Sequence, residues 1–201
     1  MPWWDAGYEY YNNAGVRIVQ NHDVFALKLS AGDQSKTEEL TAMSSLGRAI
    51  QGLIRSLDGD FPTLSNWTAD EMSYHRYYDK DLGLSYHRDN LRFVGVIAVA
   101  SILGECDFMT INRRPSTYVY NEELGKDVVD EWDVISEKAY RVQPRDLMLM
   151  RGMGLYDDMR AEDRPEHAVM NGRVMPRISF MLRDNDKPAD VGYGFTYYNW
   201  P

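Results

Sequence analysis

Cysteine is almost absent from this sequence, and that absence excludes an internal disulfide. Cys106 is the only cysteine among 201 residues, which favours a reducing compartment, so a cytoplasmic location is expected. The first residues lack the basic and apolar regions of a signal peptide. The longest apolar run, Val94 to Leu103, is well short of the roughly 20 residues that cross a bilayer. It predicts a buried strand and no membrane partner.

Positive charge is also scarce. Lysine and arginine together number 22 against 31 acidic residues, which gives a formal net charge of −9. Proteins that grip nucleic acid usually carry a basic stripe, because phosphate contacts supply most of their non-specific affinity. The overall balance therefore argues weakly against a DNA or RNA partner, although a local basic patch is compatible with it.

The length and composition predict one domain over residues 1–201, since 44% of the residues are hydrophobic and 26% are charged. Residues 1–70 are expected to form a supporting helical and strand segment, and residues 71–183 the core. Within that core, residues 112–140 are interpreted as an inserted hairpin or lid. Residues 184–201 are expected to form a C-terminal tail. Its many aromatic residues predict that it packs against the domain or against a second copy of the chain.

One amphipathic helix is predicted. Ser35 to Glu38 has the pattern of a capping box, while Gly59 and Pro62 close the segment. Apolar residues recur between these signals at helical spacing: Leu40, Met43, Leu46, Ile50, Leu53, Ile54 and Leu57. This stripe is expected to pack on the outside of a sheet.

The rest of the chain has the alternation and turn residues of many short strands. The predicted strands are Met72–Tyr78, Arg92–Leu103, Asp107–Asn112, Thr117–Tyr120, Ala139–Val142, Asp146–Arg151, His167–Met170 and Val174–Leu182. The acidic run from Glu122 to Glu131 is interpreted as solvated surface. The fold class predicted is mostly β with flanking helices, built on a double-stranded β-helix, the jelly-roll or cupin-like core.

Histidine is scarce enough to restrict any metal site to few candidates: His22, His75, His87 and His167 are the only four. His87 and Asp89 are two positions apart, so on a strand they share a face while Arg88 points away. With His167 they supply two imidazoles and one carboxylate. That set is typical of a facial triad that leaves the opposite side of a non-haem Fe(II) open.

The strand that follows His167 carries charge on one face. Alternation places Arg177, Ser179, Met181 and Arg183 together and directs Ile178, Phe180 and Leu182 to the other side. Two arginines facing inward are costly unless an anion pairs with them. A dicarboxylate fits, because a guanidinium binds a carboxylate through two parallel hydrogen bonds.

With these residues in view, the sequence resembles the Fe(II)/2-oxoglutarate-dependent dioxygenase superfamily, and within it the AlkB-like branch. The similarity runs from about His75 to Arg183. His75-Arg76-Tyr77 stands where such proteins have an Asn-Arg-Tyr segment, and Leu103-Gly104 with Phe108 follows as in that branch. A strand like Asp146 to Met150 before the distal histidine is also familiar there.

The resemblance implies Fe(II), 2-oxoglutarate and O2 as cofactors, with hydroxylation of a substrate C–H bond and release of succinate. It implies that His87, Asp89 and His167 bind the metal and form the catalytic centre. The co-substrate contacts that it implies are Tyr77, Arg177, Ser179 and Arg183. On the substrate side the candidates are His75, Tyr86 and Asn90.

Three interpretations of the function remain open from the sequence. A small-molecule substrate is favoured by the acidic charge, and by Asn90 and Leu91 at positions where AlkB relatives carry a carboxylate that contacts the base. A methylated nucleobase in DNA or RNA is the alternative, since the many tyrosines could stack on a flipped base. A catalytically silent binding protein of the same fold is the third.

Overall fold

The structure, a computed structural model, describes residues 3–12, 15–28, 39–69, 71–81, 83–91, 93–155 and 166–185. The elements in chain order are β1 (Trp4–Asp5), β2 (Tyr8–Tyr11), β3 (Arg17–Gln20), β4 (Asp23–Lys28), α1 (Glu39–Arg55), β5 (Glu71–Tyr77), β6 (Leu84–His87), β7 (Phe93–Asn121), β8 (Lys126–Val142), β9 (Leu147–Arg151) and β10 (Glu166–Asn185). A 3₁₀ turn, Pro62–Leu64, follows the helix. No helix of the described part is long and apolar enough to span a membrane.

Two long strands, β7 and β10, run through the whole sheet and fold it into two layers. The C-terminal half of β10 lies between β5 and the first half of β7, and β4, β1 and β9 extend this layer, here called the major sheet. The N-terminal end of β10 lies between β6 and the second half of β7, and β3, β2 and β8 extend the minor sheet. The predicted mostly β, double-stranded β-helix class is confirmed.

Both long strands turn from one sheet to the other at the same place, which we call the corner. It comprises Gly104 of β7 and residues 171–176 of β10, where the pairing register shifts. Gly104 has φ of +74°, and a Cβ there would lie 2.4 Å from the carbonyl oxygen of Val174. Only glycine tolerates both that backbone conformation and that close approach. The corner therefore depends on this residue.

The corner also explains the main difference from the predicted strands. Arg92–Leu103, Asp107–Asn112 and Thr117–Tyr120 are predicted as three separate strands, but every described residue of these ranges lies within β7. His167–Met170 and Val174–Leu182 likewise belong to β10. The glycine and the turn residues that indicate strand ends here mark bulges inside continuous strands.

The helix α1 packs on the outer face of the major sheet, as its apolar stripe predicts. Met43, Ile50 and Ile54 are buried in one cluster with side chains of β5, β7 and β10. Leu53, which was assigned to the same stripe, is instead 51% exposed. The helix ends at Arg55, before the predicted stop signals, and the capping box at 35–38 lies outside the described residues. With its outer face covered by α1, the major sheet directs its inner face toward the minor sheet.

The segment 112–140 forms the outer part of a β7–β8 hairpin, paired from Asn121 and Lys126 back to Cys106 and Val142. Its acidic tip is largely exposed, as expected, with Val128 buried as the exception. The role of this hairpin as a lid and the division of the chain into segments stay predictions. Of the C-terminal tail, all residues from 186 onward lie outside the described part of the chain.

Candidate metal centre and anion cavity

Three predicted metal ligands meet at the end of β6. His87 is the last residue of β6, and His167, the second residue of β10, is its direct partner across the two strands. The Nε2 atom of His167 lies 3.4 Å from Oδ2 of Asp89, and Nε2 of His87 lies 3.9 Å from Oδ1. The ligand atoms are all within 4.8 Å of one another. Among the described residues, this is the one group of three metal-binding side chains that lie so close.

The geometry differs from the predicted one in two respects. Because β6 ends at His87, Asp89 lies in the loop beyond the strand, and alternation on a strand does not explain why the two side chains meet. Arg88 was expected to point away. It instead lines both cavities beside the metal centre, and its Nη1 donates to Oε1 of Glu166 at 3.1 Å.

The ring of His87 is oriented by the backbone. Its Nδ1 lies 2.8 Å from the carbonyl oxygen of Ser85. Since a carbonyl only accepts hydrogen bonds, Nδ1 carries the proton and Nε2 presents its lone pair toward Asp89 and His167. The ring of His167 stacks on Phe108 with centroids 5.5 Å apart. Two imidazole nitrogens and a carboxylate on one side, with cavity space beyond, fit a divalent iron in a facial triad.

The predicted anion contacts lie on the inner face of the major sheet. Arg177 is opposite Tyr77 on β5, Ser179 is opposite His75, and Arg183 is opposite Glu71. Phe180 and Leu182 face the other way, into the cluster beneath α1. The predicted alternation of this strand is therefore present, and it places the two arginines and the serine in one cavity.

Arg177 and Arg183 differ in what balances their charge. Nη1 of Arg183 donates to Oε1 of Glu71 at 2.7 Å. Arg177 is 2% exposed, its guanidinium lies 4.8 Å from the centre of the Tyr77 ring, and its Nε and Nη1 have no hydrogen-bond partner among the described residues. A buried cation left in this state is costly. The cavity thus presents one guanidinium ready for an anionic oxygen.

Burial raises the pKa of Tyr77, and this effect outweighs the opposing one of Arg177. Tyr77 therefore stays a neutral phenol at physiological pH, able to donate its O–H to an anion.

His75 lies in this cavity but already uses both of its ring nitrogens. Nε2 is 2.9 Å from Oγ of Ser73, and Nδ1 is 2.8 Å from Nε2 of His22. Burial lowers the pKa of His22 to about 3, and burial likewise lowers the pKa of His75, with Arg177 and Arg183 acting in the same direction on both. Both rings are neutral at physiological pH. The substrate-side role expected of His75 stays a prediction.

The other two substrate candidates are in different surroundings. Asn90 lines the anion cavity near the metal centre. Tyr86 lines neither cavity, because its hydroxyl bonds the carboxylate of Glu137 on β8 and its ring lies against Arg113. Burial and the bond to Glu137 raise the pKa of Tyr86. The structure therefore brings Asn90, but not Tyr86, to the site.

Two cavities meet at the metal centre. The anion cavity, about 350 Å³, lies between the sheets and is lined by all three candidate metal ligands and by Arg177. The second, here called the outer cavity, is about 460 Å³ and is bounded by β8 and β9. Both reach Asp89 and His167. Half of the residues that the outer cavity adds are apolar or aromatic, Tyr140, Val142, Leu147 and Leu149, and half are polar or charged, Thr110, Arg141, Asp146 and Arg151.

Glu166 organises the boundary between the metal centre and the hairpin, and the sequence analysis missed it. It is buried, and it accepts from Arg88 at 3.1 Å and from Nε of Arg113 at 2.7 Å. The guanidinium of Arg113 also lies 3.8 Å from the ring centre of Trp132 on β8. The available signal was its position directly before His167.

No family model matches the chain, and no curated protein matches it. Among solved structures, it is similar to a prolyl-4-hydroxylase from Pseudomonas putida, with 13% identity and a TM-score of 0.39, over 87% of this chain and 77% of that one. A likeness at this level carries no functional argument.

Proposed function

We propose that this protein is an Fe(II)- and 2-oxoglutarate-dependent oxygenase that hydroxylates a C–H bond of a small molecule. The observation that carries the proposal is the opening of one cavity onto both the three-residue cluster and the buried Arg177, whose Nε and Nη1 have no hydrogen-bond partner among the described residues. A metal cluster alone fits many activities. The adjacent guanidinium of Arg177 adds a binding group for a co-substrate that carries a negative charge at the end away from the metal. The resemblance to the AlkB-like branch supports the same assignment.

In this proposal His87, Asp89 and His167 hold the iron, and Asp89 offsets part of its charge. When bound, the iron supplies the activation of O2, so that one oxygen atom enters the substrate as an alcohol and the other enters succinate, with loss of CO2. The cluster is only 11–13% exposed in its side chains. The protein thereby keeps bulk water away from the reacting atoms.

Arg177 would bind the distal carboxylate of 2-oxoglutarate, with the Ser179 hydroxyl and the neutral Tyr77 phenol as further donors. Arg183 is already neutralised by Glu71, so its role is to shape the cavity and to contribute a weaker attraction. These assignments follow from charge: an arginine with an acidic partner gains less from a new anion than one without.

The outer cavity is the proposed substrate site. It borders Asp89 and His167 directly, and its volume of about 460 Å³ suits a small molecule. Of its charged residues, Arg88 is paired with Glu166 and Arg141 with Glu105. Apart from Asp146 and Arg151, apolar side chains cover most of the remaining wall. The reacting end of the substrate is therefore expected to be uncharged.

One observation favours a nucleobase as the alternative substrate. Tyr8 and Tyr10 line the anion cavity from β2, with ring centroids 5.4 Å apart and exposures of 37% and 38%. Partly exposed aromatic rings at such a site can stack on a flat base. Against this stands the net charge of −9, which repels phosphate.

The test is succinate formation by protein supplied with Fe(II), ascorbate, O2 and 2-oxoglutarate, across a panel of apolar metabolites and methylated oligonucleotides. Succinate formation that depends on Fe(II) and rises with one class of compound supports the proposal and identifies the substrate class. Asp89→Ala should abolish it, whereas Asp81→Ala, an exposed carboxylate away from the site, should not. A parent protein that binds neither iron nor 2-oxoglutarate would refute the proposal and leave the silent binding protein.

A further inference from the structure

The anion cavity contains a chain of hydrogen bonds that the proposed function does not use. It runs from His22 through His75 to Ser73, with contacts of 2.8 Å between the two rings and 2.9 Å from His75 to Oγ of Ser73. All three side chains are buried, with exposures of 3%, 8% and 3% in that order. Ser73 and His75 line the cavity next to their cross-strand partners on β10, Met181 and Ser179, on the same face of the major sheet.

The chain has two alternative directions, because each histidine has one protonated ring nitrogen when neutral. In the first, Ser73 donates to His75, His75 donates to His22, and Nδ1 of His22 carries a proton. That nitrogen is buried and has no hydrogen-bond partner among the described residues, so the proton would have no acceptor. In the second, His22 donates to His75, His75 donates to Oγ of Ser73, and the hydroxyl proton of Ser73 is released toward the cavity.

An anionic oxygen in the cavity selects the second direction. It accepts the released hydroxyl proton, whereas in the first direction the lone pairs of Ser73 would face it and repel it. The alternative of a protonated histidine is suppressed, since burial and the two nearby arginines lower the pKa of both rings. The chain then acts as a fixed dipole with its positive end at Ser73.

We propose that Ser73 is a binding residue for the dicarboxylate co-substrate, and that His75 and His22 are positioning residues that aim its hydroxyl proton at the anion. The inference rests on the proposed function for the identity of the anion, but it concerns the cavity wall formed by β5. It also gives His22 a role, although His22 precedes β4 and lies far from the metal ligands in the sequence.

The test measures dicarboxylate affinity by calorimetry, with 2-oxoglutarate on the metal-loaded protein and glutarate on the metal-free protein. Glutarate lacks the keto group, so its binding reports the cavity without metal chelation. Ser73→Ala is expected to weaken both ligands about tenfold or more, the value of a lost hydrogen bond to a charged group. In turnover, the KM for 2-oxoglutarate should rise while kcat at saturation stays within about twofold.

The positioning role is tested at His22 with two variants. His22→Phe keeps a ring against His75 and Tyr77, whose ring centroids lie 4.7 and 4.9 Å away, but removes the donor, and it should weaken binding several-fold. His22→Gln restores an N–H donor and should bind within about twofold of the parent. Tyr74→Phe, which removes one hydroxyl from the opposite face of the same strand, is the control and should leave affinity unchanged.

The outcomes separate the two proposals. A folded Ser73→Ala protein that binds both dicarboxylates as tightly as the parent overturns the inference and leaves the proposed function intact. Equal losses in His22→Phe and His22→Gln overturn the positioning role, and this pair decides the matter if Ser73→Ala does not fold. A parent protein that binds neither dicarboxylate overturns the proposed function together with the inference.

Discussion

Acidification should destabilise this protein well above the pH at which its carboxylates titrate, because it buries neutral histidines. The folded-state pKa of His22 is lowered to about 3 from 6.5. In the unfolded chain His22 therefore binds a proton near pH 6.5, whereas in the folded chain it stays neutral down to about pH 3. The stability that neutral His22 provides is fully present above pH 6.5 and is lost progressively as the pH falls toward 3.

The size of the effect follows from that interval. A pH of 5 lies about 1.5 units below the unfolded-state pKa of His22. At about 1.4 kcal/mol per unit, protonation of His22 in the unfolded state therefore lowers the free energy of unfolding by about 2 kcal/mol. His75 acts in the same direction, since burial also lowers its pKa. The carboxylates of Asp23 and Asp107 have pKa values below 3.8, lowered despite their burial by bonds to Arg76 and Tyr78 or to Arg173. These two carboxylates therefore stay ionised in the folded protein at pH 5.

The measurement is urea unfolding of the metal-free parent and of His22→Phe at pH 7.5 and pH 5. The parent should lose about 2 kcal/mol more of its unfolding free energy than the variant does, because only the parent has a histidine to protonate at this position. His87 and His167 are present in both proteins and cancel in the comparison. Tyr74→Phe should behave as the parent. Equal losses in parent and His22→Phe would mean that His22 is protonated in the folded state, and the reasoning from burial would fail.

Three further outcomes are expected. Asp89→Ala should weaken Co²⁺ binding, followed by visible absorption, by at least about tenfold, since one of three ligands is lost. Arg177→Met should raise the Kd of 2-oxoglutarate by about tenfold or more, because it removes a buried guanidinium whose Nε and Nη1 have no other hydrogen-bond partner in the described part of the chain. Glu166→Gln should lower the unfolding free energy by about 3 kcal/mol, since it leaves Arg88 and Arg113 around a neutral partner; unchanged urea midpoints would contradict this.

The metal centre was the part of the site most accessible to sequence reasoning. The chain has four histidines, so few sets of metal ligands are possible. One histidine is followed two residues later by an aspartate, and a distant histidine completes a set of three. The alternation of Arg177 to Arg183 was equally readable, because strand periodicity fixes which side chains share a face. The roles of these residues remain predictions that the binding experiments address.

The hydrogen-bond chain was not predictable from the same signals. His22 lies in a polar segment that reads as a turn, and it reaches His75 only because β4 pairs with β5, with Val24 opposite His75. Glu166 was missed for a similar reason, since its partner Arg113 lies at the base of a hairpin 53 residues away. Such contacts depend on the pairing of distant strands, which local periodicity does not encode.

The path of β10 across the corner places His167 in the minor sheet and Arg177 in the major sheet, on one uninterrupted strand. Under the proposed function, the length of backbone between them sets the distance between the metal and the guanidinium that one dicarboxylate must span. Lengthening or shortening that stretch should then change the length of the acid that binds while leaving each end of the site intact. Related chains that differ in this stretch should differ in the length of the keto acid they bind.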